Sequence, residues 1–269
     1  MKKNLFYFLL AALCTVSFTA CSSDDDNDNN GDNGGFTELE HVWELEPTVM
    51  YDESGNVTTN PDDAVKYTGS VQITWDCPEG TSIKLGDGDG AMELPVASVK
   101  QLAENLGNAN LPTVLKSVEF KSNGQIVAIY KDAETTTSNL PYTDGWKTAS
   151  DYATYKKVNN NQILVFLNTT KVTEGADEKA ALTEILNIFK DGVPVNIRWS
   201  ENNSKAYFYV DKTFITSLMN NQTLKDMLDN LKDEDLNGMA PLLKAAVNSV
   251  KDVMDKTTKF EAGLELMKK

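Results

Sequence analysis

Short stretches of apolar–polar alternation, each ended by a turn signal, constrain this chain more than any other feature. Tyr67, Gly69, Val71, Ile73 and Trp75 share one parity and Thr68, Ser70, Gln72 and Thr74 the other. That two-residue period belongs to a half-buried strand. Ile83–Leu85 and Met92–Leu94 flank Gly86-Asp87-Gly88-Asp89-Gly90, where two Asp-Gly pairs suit a hairpin turn with positive φ. Val118–Lys121 and Gln125–Lys131 flank Asn123-Gly124, Tyr155–Val158 and Ile163–Leu167 flank Asn159-Asn160-Asn161, and Val195–Trp199 and Ala206–Asp211 flank Ser200–Ser204. A first strand is expected around Glu40–Glu44. Phe260, Ala262, Leu264 and Leu266 alternate as a closing one.

Helical spacing interrupts these strands. Val96, Val99, Leu102, Ala103 and Leu106 fall on one face, and Gly107 suits the position after a C-cap, so a helix is expected over 96–106. Ala181, Leu182, Ile185, Leu186 and Phe189 make a similar stripe over 178–190, closed by Gly192. Each of these helices precedes a hairpin, giving two helix–hairpin units near 96–132 and 178–211, at a spacing of about 78 residues. Further helices are expected over 213–219, 223–232 and 241–256, the last with Pro241 in its first turn. The fold class expected is α+β: a mostly antiparallel sheet or partly closed barrel with inserted helices and a helical segment before the last strand.

The cysteines and the histidine exclude whole classes of chemistry. Of three cysteines, Cys14 and Cys21 lie at the N-terminus and only Cys77 lies further on, so the folded part can form no internal disulfide and no cysteine-based zinc site. Cys77 follows the Val71–Trp75 alternation and reads as a small strand-end residue. His41 is the only histidine and stands among Glu40 and Glu44, which suits a solvated strand edge better than a catalytic couple. No Gly-x-Ser-x-Gly elbow, phosphate loop or dinucleotide fingerprint occurs. The net charge of −15 opposes binding to nucleic acid and to anionic membrane surfaces.

The N-terminus carries an address. Lys2 and Lys3, the apolar run Leu5–Leu13 and the small residues before Cys21 have the layout of a secretory signal cut at a lipid-modified cysteine. Phe18 stands where the lipoprotein box usually has Leu. Residues 1–20 are then a lipoprotein signal peptide, and 21–35 are the lipidated Cys21 with an acidic tether that lacks any hydrophobic residue. Residues 36–269 form the α+β domain. Acyl chains contribute about 0.8 kcal/mol per buried CH₂, so two or three chains hold a protein on a membrane. Asp26, Asp28, Asn30 and Gly31 match the opening of a calcium loop. Thr37 stands where that loop needs a bidentate Glu, so a solvated tether fits better.

The Ser23-Asp24-Asp25-Asp26 run resembles the acidic signal that follows the lipid Cys in surface-exposed lipoproteins of Bacteroidetes. Tyr67-Thr68-Gly69 leads a strand, Leu94-Pro95 opens a helix, Val118-Glu119-Phe120 precedes Asn123-Gly124, and Gly192-Val193-Pro194 leads another strand. With these motifs, most of 60–267 resembles a family of Bacteroidetes lipoproteins regarded as calycin-like, or lipocalin-like, barrels. The resemblance implies a β-rich domain in which eight or so strands close around a small ligand. It also implies outer-membrane attachment, with the facing leaflet left open, and it implies no activity. The helical content expected here exceeds that of a plain barrel.

Candidate site residues are few. Tyr142, Trp146, Tyr152 and Tyr155 cluster around Pro141, Asp144 and Gly145, where aromatic rings on loops can stack on sugar faces. The same rings would equally cap the core between hairpins. Asp87 and Asp89 are the candidate metal ligands, and a hairpin turn fits that stretch better. No catalytic residue and no cofactor is assigned, which leans against an enzyme. The function expected is a membrane-anchored lipoprotein that binds a glycan, peptide or small hydrophobic ligand at the cell envelope. Two alternatives stay open: a structural or assembly component of an outer-membrane complex, and a carboxylate-dependent hydrolase.

Overall fold

A computed structural model describes residues 36–86, 91–131, 145–173, 183, 186–230 and 240–269. Along the chain these form β1 (Val42–Leu45), β2 (Val49–Tyr51), β3 (Val57–Thr58), β4 (Lys66–Thr68), β5 (Val71–Asp76), β6 (Ser82–Leu85) and β7 (Met92–Pro95). There follow α1 (Val96–Val114), β8 (Leu115–Phe120), β9 (Gln125–Tyr130), β10 (Lys147–Asn159), β11 (Gln162–Leu167) and the single turn α2 (Thr169–Val172). Then come β12 (Val193–Trp199), β13 (Lys205–Asp211), α3 (Lys212–Asn220), α4 (Gln222–Asn230), α5 (Ala240–Lys256) and β14 (Lys259–Lys268).

Eight strands close on themselves in the order β1-β8-β9-β10-β11-β12-β13-β14, with β14 returning to β1. The strand pairs are antiparallel, as β1 with β8 and with β14, and β12 with β13. Strand β5 adds to β14 as a ninth, outside the ring. The molecule is thus a closed antiparallel β-barrel with an extra strand, and five α-helices lie among the described residues. Two small sheets stand apart from it, β3-β2-β4 and β6-β7.

Each expected hairpin of the second half forms. The β8–β9 turn places Gly124 at φ 86, and a Cβ there would meet the Tyr155 carbonyl oxygen at 2.9 Å, so only glycine fits. The β12–β13 turn places Asn203 at φ 53, the left-handed region that asparagine tolerates. Strand β14 is the hub. At Gly263 a Cβ would collide with the backbone of Phe208 and Tyr209, so the strands approach as closely as they do because no side chain is present.

Three expectations need correction. The expected strand 67–75 breaks at Gly69-Ser70: β4 pairs with β2, and β5 pairs with β14. The helix expected to stop at Leu106 continues to Val114. Gly107 does not end it; a Cβ there would meet both Val71 methyls at 2.9 Å, so glycine serves the close approach of helix to strand. Leu102 and Leu106, placed by spacing on the core face, are 53% and 41% exposed.

Val96 and Val99 make apolar contacts at the start of α1, and further along the helix docks with polar groups. Asn108 Oδ1 accepts from Val71 N at 2.8 Å and its Nδ2 donates to Val71 O at 3.0 Å. Asn105 likewise accepts from Tyr67 N at 3.0 Å and donates to Val65 O at 3.1 Å. Glu104 accepts from Ile73 N at 2.9 Å. These side chains stand in for a neighbouring strand and satisfy exposed ladder groups, an answer to the edge-strand problem. Pro112 cannot donate to the Asn108 carbonyl, which accepts instead from Thr48 Oγ1 at 3.0 Å.

The described chain divides into two compact units, and β5, β13, β14 and α1 each contribute residues to both. In the unit made of 73–104 and 210–262, Ile83, Val96 and Val253 form a buried cluster with Trp75, Cys77, Leu85, Val99 and Val250 packed against it. Cys77 follows β5 directly, as its sequence context implies. Trp75 meets Phe260 edge-on at 5.1 Å and donates Nε1–H to Thr257 Oγ1. Asp211 caps α3 by accepting from Phe214 N. The other unit, 36–72, 105–209 and 263–269, holds the aromatic residues singled out above. Of the expected helix over 178–190, the described residues Thr183, Leu186 and Asn187 are helical.

Candidate functional site

The register decides which side chains enter the barrel. Trp43 lies opposite Val118, Val118 opposite Ala128, Phe120 opposite Ile126, Tyr155 opposite Val165, and Ile197 opposite Phe208. Trp43, Val118, Ile163, Ile197 and Phe208 are all fully buried. Rings from separated strands meet inside. Phe208 of β13 stacks on Phe120 of β8 at 5.4 Å and meets Trp43 of β1 edge-on at 5.7 Å, and Phe120 meets Tyr155 of β10 at 5.3 Å. An eight-stranded ring is just wide enough to be filled by side chains in this way.

The two ends of the ring differ in their connections. One end carries the short turns 121–124, 160–161 and 200–204. There Phe36 and Leu39 are buried beneath Trp199 and Trp43; Phe36 meets Trp199 edge-on at 6.0 Å, and Trp43 donates Nε1–H to Leu39 O at 2.9 Å. Lys157 places its ammonium 4.4 Å from the Phe36 ring. The other end carries the long connections 131–146 and 168–192. Long connections on a rigid frame are where binding residues collect.

At that long-connection end β9 stops at Tyr130 and β10 starts opposite it at Lys147. The next pair, Lys131 and Trp146, meet as cation and ring at 4.7 Å. Lys131 is nevertheless buried, and its backbone N–H donates to Val114 O at 2.7 Å. Residues 150–152 have no counterpart on β9, so β10 bulges between Ala149 and Ala153. Asn168 fixes that bulge. Its Nδ2 donates to Asp151 O at 3.1 Å, its backbone N–H to Tyr152 O at 3.4 Å, and its Oδ1 caps α2 by accepting from Lys171 N at 3.1 Å. The result presents Tyr152 6.2 Å from Tyr130 at 57° and sets Asp151 against Lys171 at 3.5 Å.

Trp146 and Tyr152 are half-buried. Partly exposed rings beside the exposed Asp151 carboxylate offer apolar faces for sugar C–H groups and an acceptor for hydroxyls. Tyr152 lies on a strand, since β10 begins well before the expected Tyr155. Tyr155 lies elsewhere: it is buried in the interior, its hydroxyl donates to Lys121 O at 2.8 Å, and burial pushes its pKa up to about 12, with the charge of Glu40 adding to the effect. Tyr142, Cys21, the tether 21–35 and the candidate ligands Asp87 and Asp89 lie outside the described residues.

Sequence reasoning missed Tyr130, Lys131 and Asn168. The first two end an alternating segment and read as plain strand. Asn168 has a recognisable signal, an asparagine directly before Thr169-Thr170 in the N-cap position of a helix. His41 lies just before β1, where its backbone N–H donates to Leu39 O and its carbonyl accepts from Phe120 N. Two carboxylates converge elsewhere, on the wall: Glu46 and Glu265 both accept from Lys205 Nζ, and hydrogen bonding to Glu46 raises the lysine pKa. Among the described residues no group of three His, Cys, Asp or Glu could hold a metal, and no helix is long and apolar enough to cross a membrane. Family models, curated proteins and solved structures yield no match to this chain.

Proposed function

We propose that this chain is a lipid-anchored envelope protein, held on the outer membrane through Cys21, whose barrel presents a glycan-binding rim built from Tyr130, Trp146 and Tyr152, with Lys131 buried against the Trp146 ring. The barrel is consistent with a calycin-like domain. The observation that carries the reading is the contrast between a packed interior and a partly exposed set of rings. Phe120, Phe208 and Trp43 meet inside the ring, so a ligand finds its surface at the rim rather than in the lumen. Rings on paired strand ends and on a hydrogen-bonded bulge cost little entropy to immobilise, which favours weak, selective binding of stacked sugars. The acidity of the chain disfavours polyanions, so neutral or amino sugars are the class expected.

The test is a glycan array with the full chain in detergent, followed by calorimetry on any hit. Trp146→Ala should abolish binding while changing folding stability by about 1 kcal/mol or less, the range of a partly exposed cation–π contact. Retention of binding by both Trp146→Ala and Tyr152→Ala would refute the rim. Capture of an outer-membrane protein instead of a glycan would favour the assembly role.

A further inference from the structure

We infer that the rim selects N-acetylated amino sugars, because the inner wall just below it forms a small apolar recess that takes an acetamido methyl group. This deepens the glycan-rim reading and rests on it. Along most of the wall the inward side chains are buried, among them Val118, Phe120, Ile126, Tyr155, Ile163 and Val165. Toward the long-connection end the same inward rows change. Ala128 lies opposite Val118, Tyr130 opposite Leu115, and Ala153 opposite both Ile126 and Leu167. Ala128, Tyr130, Ala153 and Leu167 face inward by this register and are nevertheless only half-buried. An inward side chain that water reaches borders a space inside the ring.

Side-chain size accounts for the space. Rings fill the closed half, whereas β9 and β10 present Ala128, Ala149 and Ala153 on neighbouring strands, with Ala128 directly opposite Ala149. A ring of eight strands is filled only by large side chains, so three adjoining alanines leave a hollow. Ile126 and Tyr155, the next inward residues toward the closed end, are buried and bound it from below. Tyr130 stands at its mouth, 6.2 Å from Tyr152. Asp151 lies on the bulge between Ala149 and Ala153; its carboxylate is 3.5 Å from Lys171 and keeps further lone pairs for a ligand N–H. These surroundings name the entering group. An apolar lining admits a methyl and penalises a hydroxyl or a charge. A carboxylate beside it accepts from an N–H. An acetamido group supplies both and leaves the sugar neutral, which suits a chain of net charge −15.

The experiment measures, by calorimetry on the full chain in detergent, the binding of β-linked trimers of N-acetylglucosamine, glucosamine and glucose. The N-acetylated trimer should bind about tenfold or more tightly than either of the others, through the buried methyl and the added hydrogen bond. Ala128→Leu, which fills the recess, should bring that ratio to about one, and Ala153→Val should lower it in the same direction. A ratio near one in the unaltered chain, or one that persists in both folded variants, overturns the recess and leaves the rim standing. So does binding of other glycans with none of the three trimers bound. Where neither variant folds, the ratio in the unaltered chain decides. Failure to bind any glycan overturns the rim reading and the recess with it.

Discussion

At one end of the barrel Phe36, Leu39, Trp43 and Trp199 close over a column of rings that continues through Phe208 and Phe120 to Tyr155. At the other, Trp146 sits half-exposed just before β10, and Tyr152 sits half-exposed on a bulge to which Asn168 is hydrogen-bonded. The same residue types serve both places. What separates them is the place: at the short-turn end the rings of several strands interlock, whereas the rings of the strand ends that lead into the long connections stay half-buried. Aromatic content alone therefore says little about role, and the strand end on which a ring falls says much.

Removing a ring from the closed end should have the largest effect. Trp43→Ala deletes a fully buried side chain that touches Phe208 and Trp199, and leaves the Leu39 carbonyl without its indole donor. A loss of about 3–5 kcal/mol is expected, from the cavity left by a large core residue. Denaturant titration followed by fluorescence checks it. A loss below about 1 kcal/mol would mean that the interior is loosely filled, and would reopen the lumen as a ligand site.

Asn168→Ala probes the opposite end without touching a ring. It removes a helix cap and the hydrogen bond to the Asp151 carbonyl, so a loss of about 1–2 kcal/mol is expected. The bulge should loosen with it, and amide exchange at 150–152 should speed up while exchange at 163–165 stays unchanged. Protection that falls equally in both places would show that the two ends do not open independently.

Much of the barrel was legible in the sequence because hairpins are local. Asn123-Gly124, Asn159–Asn161 and Ser200–Ser204 each join strands that do pair, and the closing alternation at Phe260–Leu266 becomes β14. What stayed hidden is non-local. That β14 also pairs with β1 and β5 depends on Gly263 and on where two distant segments arrive. Helix α1 misled because, beyond Val96 and Val99, polar side chains do the docking. Asn105 and Asn108 look like surface residues until the strand edge they cover is known, and Leu102 and Leu106 then face out. The rim was half legible: Trp146 and Tyr152 stood out as aromatic residues near turn formers, but Lys131 and Tyr130 join them only through the β9–β10 register.

Tyr155 gives the smallest effect and divides the two regions most cleanly, because its ionisation reports which one it belongs to. An exposed rim tyrosine would lose its proton near 10; burial moves this one to about 12. The neutral form is the one the fold favours. Stability is therefore complete below the unfolded value of 10 and declines as pH rises from 10 toward about 12, since the unfolded chain releases its proton first. Lys205, also raised, declines in the same direction, so the tyrosine is isolated by difference. Tyr155→Phe should cost about 1 kcal/mol at neutral pH through the lost bond to Lys121 O. Its stability should then fall less than that of the parent between pH 10 and 12, by about 1 kcal/mol after allowance for solvent screening. Parallel curves for the two proteins would place the Tyr155 hydroxyl in water and move this residue from the packed column to the rim.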